Sequence, residues 1–292
     1  MADAKLTKSE DLARVREVDF VERFSESVKK LVEALGVTRK IAKQAGSVLK
    51  TYKATGTLED GAVAEGEVIP LSKYKTEDVT WGEITLNKWR KATTAEAIVE
   101  KGFDQAVSMT SDRMLKDVQK KVRNDFFTFL ASGTGSASGV GLQGALAQVW
   151  GQLQVLFEDD DVEAVYFVNQ LDIADYLSKA EITTQTAFGM TYIENFLGLG
   201  TVILNSSVPR GKVYGTAQDN IVLYYIPVNG ADLSEAFSFT SDETGYIGIH
   251  EDSDYSNLTA TDTVVNGMGL FAEFLDGIVV GTINAEAAEA AG

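Results

Sequence analysis

His250 is the only imidazole in the chain, and Glu251 and Asp252 follow it directly, so that position can supply one proton carrier beside two carboxylates. A Ser–His–Asp triad would have to use it, yet no G-x-S-x-G turn exists to present a serine. The residue reads instead as a surface or strand-edge histidine. The chain has no cysteine, which excludes disulfides, thiolate zinc sites, iron–sulfur clusters and Cys nucleophiles. Zinc signatures built on two histidines fail as well. Glu158, Asp159, Asp160 and Asp161 could gather a divalent cation, but four adjacent carboxylates read as a solvated loop. Asp252, Asp254, Ser256 and Asn257 open like a calcium loop. Asn257 then stands where Gly is needed and Thr263 where Glu is needed. The glycine-rich stretch 132–141 lacks the Lys of a phosphate-binding loop and follows a helix rather than a strand, so it reads as a hinge. Nothing selects a pair of carboxylates for glycoside chemistry. No catalytic, cofactor or metal constellation emerges, and the expectation is a protein that is not an enzyme.

The elements around these residues have an unusual order. Phe20, Phe24, Val28, Leu31 and Leu35 form a helical stripe, with Asp19 as its expected N-cap and Gly36 as its terminator. Residues 1–17 read as frayed, and 37–56 as extended. A polar excursion follows, with strand-like pieces but no consistent apolar face. Such a ribbon is marginal alone in water and is stabilised by lying across another copy of the chain. Thr93 and Glu96 fit a capping box before a short helix ending at Gly102. Val107, Met114, Leu115, Val118, Val122, Phe126, Phe129 and Leu130 then predict one long amphipathic helix over 103–131, about 40 Å at 1.5 Å per residue. Lys116, Lys120, Lys121 and Arg123 lie on its other side. Helix and strand patterns alternate over 142–230, with a helix predicted over 171–179, and strands follow over GYIGIHE, ATDTVVNGMG and GIVVGTIN.

Charge is divided along the chain. The net is −17 overall, but residues 1–53 carry +4 and residues 132–292 carry −19. The acidic half disfavours tight nucleic-acid or anionic-membrane binding, and the basic segment could pair with acidic surfaces of sister copies. No apolar run of spanning length occurs, so no membrane partner is expected.

This order of parts resembles the tailed-bacteriophage major capsid proteins of the Hong Kong 97-like fold, which is shared with encapsulin shells. The resemblance rests on EVIPLSKYKTEDVTWGEITLNKWRKATTAEAI, DQAVSMTSDRMLKDVQKKVRNDFFTFLASGTG, VEAVYFVNQLDIADYL, GTVILNSSVPRGKVYGTAQDNIVLYYI and the closing strands. It implies an α+β fold with an N-terminal arm over 1–55 and an E-loop over 56–92. A first P-domain part with the spine helix would cover 93–139, a mixed α/β A-domain 140–235, and return strands with the tail 236–292. It implies a head protein forming hexamers and pentamers of an icosahedral shell around double-stranded DNA, assembled in the host cytoplasm and located in the virion. Implied partners are the chain itself, a separate scaffolding protein, a portal protein and DNA bound without sequence specificity, with a decoration protein as a further candidate. The alternatives are an encapsulin-like compartment shell and, from another class, an acidic α/β metal-dependent enzyme. Trp81, Trp89, Lys73 and Lys75 are the candidate inter-subunit contacts, since aromatic anchors dominate interfaces. For Trp89, near the base of the loop, packing on its own domain is the competing expectation. The Lys–Asn cross-links of the fold's namesake would need Lys73, Lys75 or Lys88 with Asn257, Asn266 or Asn284, and the sequence aligns no pair.

Overall fold

The computed structural model describes residues 9–63, 66, 68–157, 162–174, 184–187 and 190–284. Helix α1 spans Ser9–Ala34. It starts ten residues before the cap expected at Asp19, which lies inside it and pairs with Arg23 at 3.1 Å. Over residues 9–17 the segment read as frayed contains Leu, Ala, Arg and Glu, which are good helix formers, and helical continuity wins there; residues 1–8 lie outside the described residues. The end is as expected. Gly36 takes φ +64°, Val37 N–H reaches Val32 C=O at 2.9 Å and Gly36 N–H reaches Glu33 C=O at 3.1 Å, a Schellman turn.

Strand β1 (Arg39–Ala42) follows, then the long pair β2 (Val48–Thr57) and β3 (Lys73–Glu83), and β4 (Asn87–Thr94). Helix α2 (Ala95–Lys101) is capped by Thr94, whose hydroxyl accepts from Ala97 N–H at 3.3 Å. The cap is therefore one residue later than the expected Thr93 box. The spine opens with a π-helical turn over Asp104–Ser108 and continues as α3 (Met109–Leu130). Its buried face carries Leu115, Val118, Val122, Phe126, Phe127 and Leu130.

The glycine stretch is not a hinge. Residues Gly135–Val140 form β5 and pair in parallel with the last strand, and α4 (Gly141–Phe157) turns back over them. A Cβ on Gly139 would lie 2.2 Å from the Gly144 carbonyl carbon, so glycine is required for strand and helix backbones to approach this closely. Strands β6 (Ala164–Val168), β7 (Gln185–Ala187), β8 (Met190–Ile193), β9 (Gly200–Leu204), β10 (Lys212–Ala217) and β11 (Ile221–Tyr225) follow, and then β12 (Ile247–Asp254), β13 (Thr259–Asn266), β14 (Met268–Ala272) and β15 (Val279–Asn284). The helix expected over 171–179 lies outside the described residues from position 175 onward.

Four sheets result. A seven-stranded sheet runs β5-β15-β10-β6-β9-β8-β7, two three-stranded sheets run β1-β11-β14 and β12-β13-β4, and β2-β3 stands as a two-stranded ribbon. The large sheet is covered on both faces, which is why β6 reads AVYFV without alternation. Val165 and Phe167 face the core beneath α1 and α3, while Ala164, Tyr166 and Val168 face the core beneath α4. Both smaller three-stranded sheets contribute to the first core through Leu223, Leu270, Ile249 and Val264. Among the described residues, no helix is long and apolar enough to cross a membrane.

The contact at Gly139 has a measurable consequence. Gly139→Ala should overpack the β5–α4 seam and lower stability by about 1–3 kcal/mol, read as a lower urea midpoint of the unassembled chain with an unchanged slope.

Candidate assembly surfaces

The ribbon is the part of the chain that its own fold supports least. Ten cross-strand pairs run from Val48↔Glu83 to Thr57↔Lys73, with one irregularity between Leu49 and Lys50. Its base is anchored, because Leu49 and Ile84 pack with Val222, Tyr224 and Ile226 in a small separate cluster. Its tip is not. Leu58, Val68, Ile69 and Leu71 are 68–93% exposed, and Tyr74 is also exposed. Lys73 and Lys75 stand on β3 with exposed side chains. Trp81 lies on β3 too, but its side chain is outside the described set. Trp89 sits on β4, half-buried against the main core. The structure thus separates the four candidates, with three on the ribbon and Trp89 behind its base.

Behind β4 lies a group of buried and half-buried charges that sequence inspection did not bring together. Lys91, Asp262 and Glu251 are cross-strand neighbours, since Lys91 pairs in register with Asp262 and Asp262 with Glu251. Lys91 Nζ meets Asp262 Oδ2 at 2.8 Å and also donates to Ser111 Oγ at 2.9 Å, Thr110 Oγ1 at 2.8 Å and Val107 C=O at 3.1 Å. The π turn leaves that carbonyl within reach of the ammonium group. Ser111 Oγ donates to Asp262 at 2.7 Å. From α1, Arg16 pairs with Glu251 at 2.6 Å and lies 3.8 Å from Asp262. Glu17 accepts from Glu251 N–H at 2.6 Å and from the Thr240 hydroxyl. Burial raises the Glu251 carboxyl to about 7; Asp262 and Glu17 push the same way, against Arg16 and Lys91. No local pattern could have revealed this group, because its members are scattered from position 16 to position 262.

The basic side of the spine is neutralised in part along its own length. Arg113 pairs with Asp117 at 3.1 Å and Lys121 with Asp125 at 2.5 Å, both one helical turn apart and exposed. Arg123 departs from that face, and burial lowers its pKa.

The remaining sequence candidates find ordinary structural roles. His250 lies edge-on to Phe239. Asp254 accepts from the Ser256 N–H at 2.9 Å and its hydroxyl at 2.5 Å, closing the β12–β13 turn. Residues 158–161 lie outside the described set. Asn266 is fully buried and donates to Tyr246 C=O at 2.8 Å, so it is occupied within the fold. Among the described residues, no group of three or more His, Cys, Asp or Glu side chains is placed to hold a metal ion. A cleft of about 1080 Å³ opens between α4 and the β8–β9 turn, lined in part by Trp150, Phe157, Leu199 and Phe274. Its arginine, Arg39, is held by Glu273 at 2.8 Å and donates to Asp219 C=O at 3.1 Å.

No protein-family model matches the chain, and no curated protein matches it. Solved structures do. The capsid of cyanophage A-1(L) aligns with TM-score 0.56 at 12% identity, covering 86% of this chain and 92% of its own. The capsid of an empty GTA particle aligns with TM-score 0.55 at 9% identity, covering 86% and 89%. A chain from Gordonia phage Cozz aligns with TM-score 0.54 at 10% identity, covering 88% and 87%. Arm helix, ribbon, spine helix and double-faced sheet together are thus a known architecture: the chain has the Hong Kong 97-like capsid fold.

Proposed function

We propose that the chain is the major capsid protein of a tailed bacteriophage, a structural subunit without enzymatic activity. Copies assemble into hexamers and pentamers that close an icosahedral shell around double-stranded DNA. The observation that carries this reading is the ribbon. Four aliphatic side chains at its tip are left in water, and covering each contributes about 1.5–3 kcal/mol. A neighbouring copy provides that cover many times over in a closed shell, so modest contacts sum to a stable particle. The acidic C-terminal half suits packaging without sequence-specific DNA contacts.

On this reading the arm covers 1–55, the E-loop 56–92, the first P-domain part 93–139, the A-domain 140–235 and the return strands with the tail 236–292. The first strand of the ribbon, β2, is drawn largely from the end of the arm. Trp81, Lys73 and Lys75 meet the next copy, and Trp89 sets the base from which the ribbon projects. A separate scaffolding protein and a portal protein are the partners expected during assembly in the host cytoplasm, and the mature site is the virion.

Electron microscopy with sedimentation velocity on the chain, alone and with its genomic neighbours, tests the reading. Shells, tubes or five- and six-membered rings are expected; a monodisperse monomer or dimer under both conditions would overturn it. Val68→Asp combined with Leu71→Asp should leave the unassembled chain within about 0.5 kcal/mol of wild-type stability, as expected for exposed positions, yet abolish closed particles. The tryptophans should behave differently from each other. Trp81→Ala should impair closure without destabilising the folded chain, whereas Trp89→Ala should cost on the order of 3 kcal/mol by urea denaturation. Equal stability of the two variants would contradict the separate roles.

A further inference from the structure

The charges behind β4 are unbalanced in a way that simple ion pairing does not require. Three carboxylates, Glu17, Glu251 and Asp262, share the site with two cations, Arg16 and Lys91. Lys91 is committed to Asp262 and to three oxygens of the spine. Arg16 is divided between Glu251 at 2.6 Å and Asp262 at 3.8 Å. Glu17 is only 6% exposed and is held by a backbone N–H and a hydroxyl, not by a cation among the described residues. Arg16 and Glu17 both belong to α1, and their partners belong to β12, β13 and the Thr240 segment. The cluster therefore fastens the start of that helix to the sheet. From Phe20 onward a different force takes over, because Phe20, Phe24, Val28 and Leu31 are buried in the core.

We propose that this cluster is a proton-controlled clamp on the first turns of α1. With Glu251 protonated the charges balance and the helix start stays docked on β12. With Glu251 ionised, negative charge accumulates beside Glu17 and Asp262, and the residues before Phe20 release.

The other neighbours of Glu251 leave that balance intact. His250 and Asp252 flank it on β12 and project from the opposite face, His250 against Phe239. The segment at Thr240 presents a hydroxyl. From α3 the facing group is Ser111, and Asp112 is paired with Arg23 at 2.5 Å. The sign follows from the raised carboxyl. Glu251 moves from an ordinary 4.5 to about 7 when docked, so the docked state holds the proton more tightly. Docking is strongest below about 4.5, weakens as pH climbs towards 7, and changes little above that. The clamp needs only the folded chain and is independent of any shell.

Hydrogen exchange read by mass spectrometry on the purified full chain, corrected for intrinsic rates, tests it. Residues 9–19 should exchange at least ~10-fold faster at about pH 8 than at about pH 5, with α4 unchanged. Glu251→Gln should remove that dependence and keep the segment protected throughout. Equal wild-type protection at both pH values, or wild-type dependence surviving in Glu251→Gln, would overturn the clamp. If Glu251→Gln leaves α4 unprotected and so has not folded, Glu17→Gln decides. It leaves two carboxylates against two cations even with Glu251 ionised, so release should be lost or move to higher pH, and an unmoved midpoint counts against the proposal.

Discussion

The packing of α3 against β6 is the constraint on which the remaining architecture depends. Phe126 and Phe127, near the end of the spine, meet Phe167 edge-on at centroid distances of 5.4 and 5.5 Å. Phe167 lies at the middle of the large sheet, so this contact sets the rod across its face. Edge-to-face pairs are worth about 0.5–1.5 kcal/mol each beyond the area they bury, and they are directional. Once α3 is placed, one side of its stripe remains open along the rod, and α1 covers it with Phe20, Phe24, Val28 and Leu31. The sheet's opposite face is then free for α4, and glycine at 139 lets α4 sit directly on the strand that leads into it.

Rigidity and exposure are divided sharply between regions. The sheets and three long helices enclose the two main cores, whereas Leu58, Val68, Ile69 and Leu71 at the ribbon's tip stay in water. A two-stranded ribbon has no second layer of its own, so its stability must come from elsewhere. The fold places its packing in the layered sheets and helices and leaves the tip of the ribbon uncovered.

Charge follows a related division. On the spine surface, Arg113 and Asp117, and Lys121 and Asp125, pair at one-turn spacing in the exposed setting where such pairs contribute little. Behind β4, by contrast, desolvation makes each charge consequential, and Asp262 survives there only because Lys91, Ser111 and Arg16 surround it. The same burial that gives the site its strength raises Glu251 and makes it responsive to pH.

Much of the fold is legible in local patterns. The stripe of Phe20, Phe24, Val28, Leu31 and Leu35, the longer stripe of the spine, the Gly36 terminator, the unbroken apolar run of β6 and the unsupported ribbon all follow from periodicity and backbone preference. These act between residues a few positions apart, and so they are written in the order of the chain. Three features are not. Glycine near position 139 reads as a breaker until a parallel partner, β15, and a helix crossing at backbone distance require it. The start of α1 reads as frayed because its charges look solvated, but Arg16 and Glu17 have buried partners 223 or more residues away. The three-stranded alignment of Lys91, Asp262 and Glu251 depends on register between distant strands. Sequence alone therefore determined most of the helices and strands and the ribbon, but neither β5 nor the start of α1. Tertiary structure decided which charges are buried and which glycines are indispensable, because desolvation and close backbone approach exist only once remote segments have met.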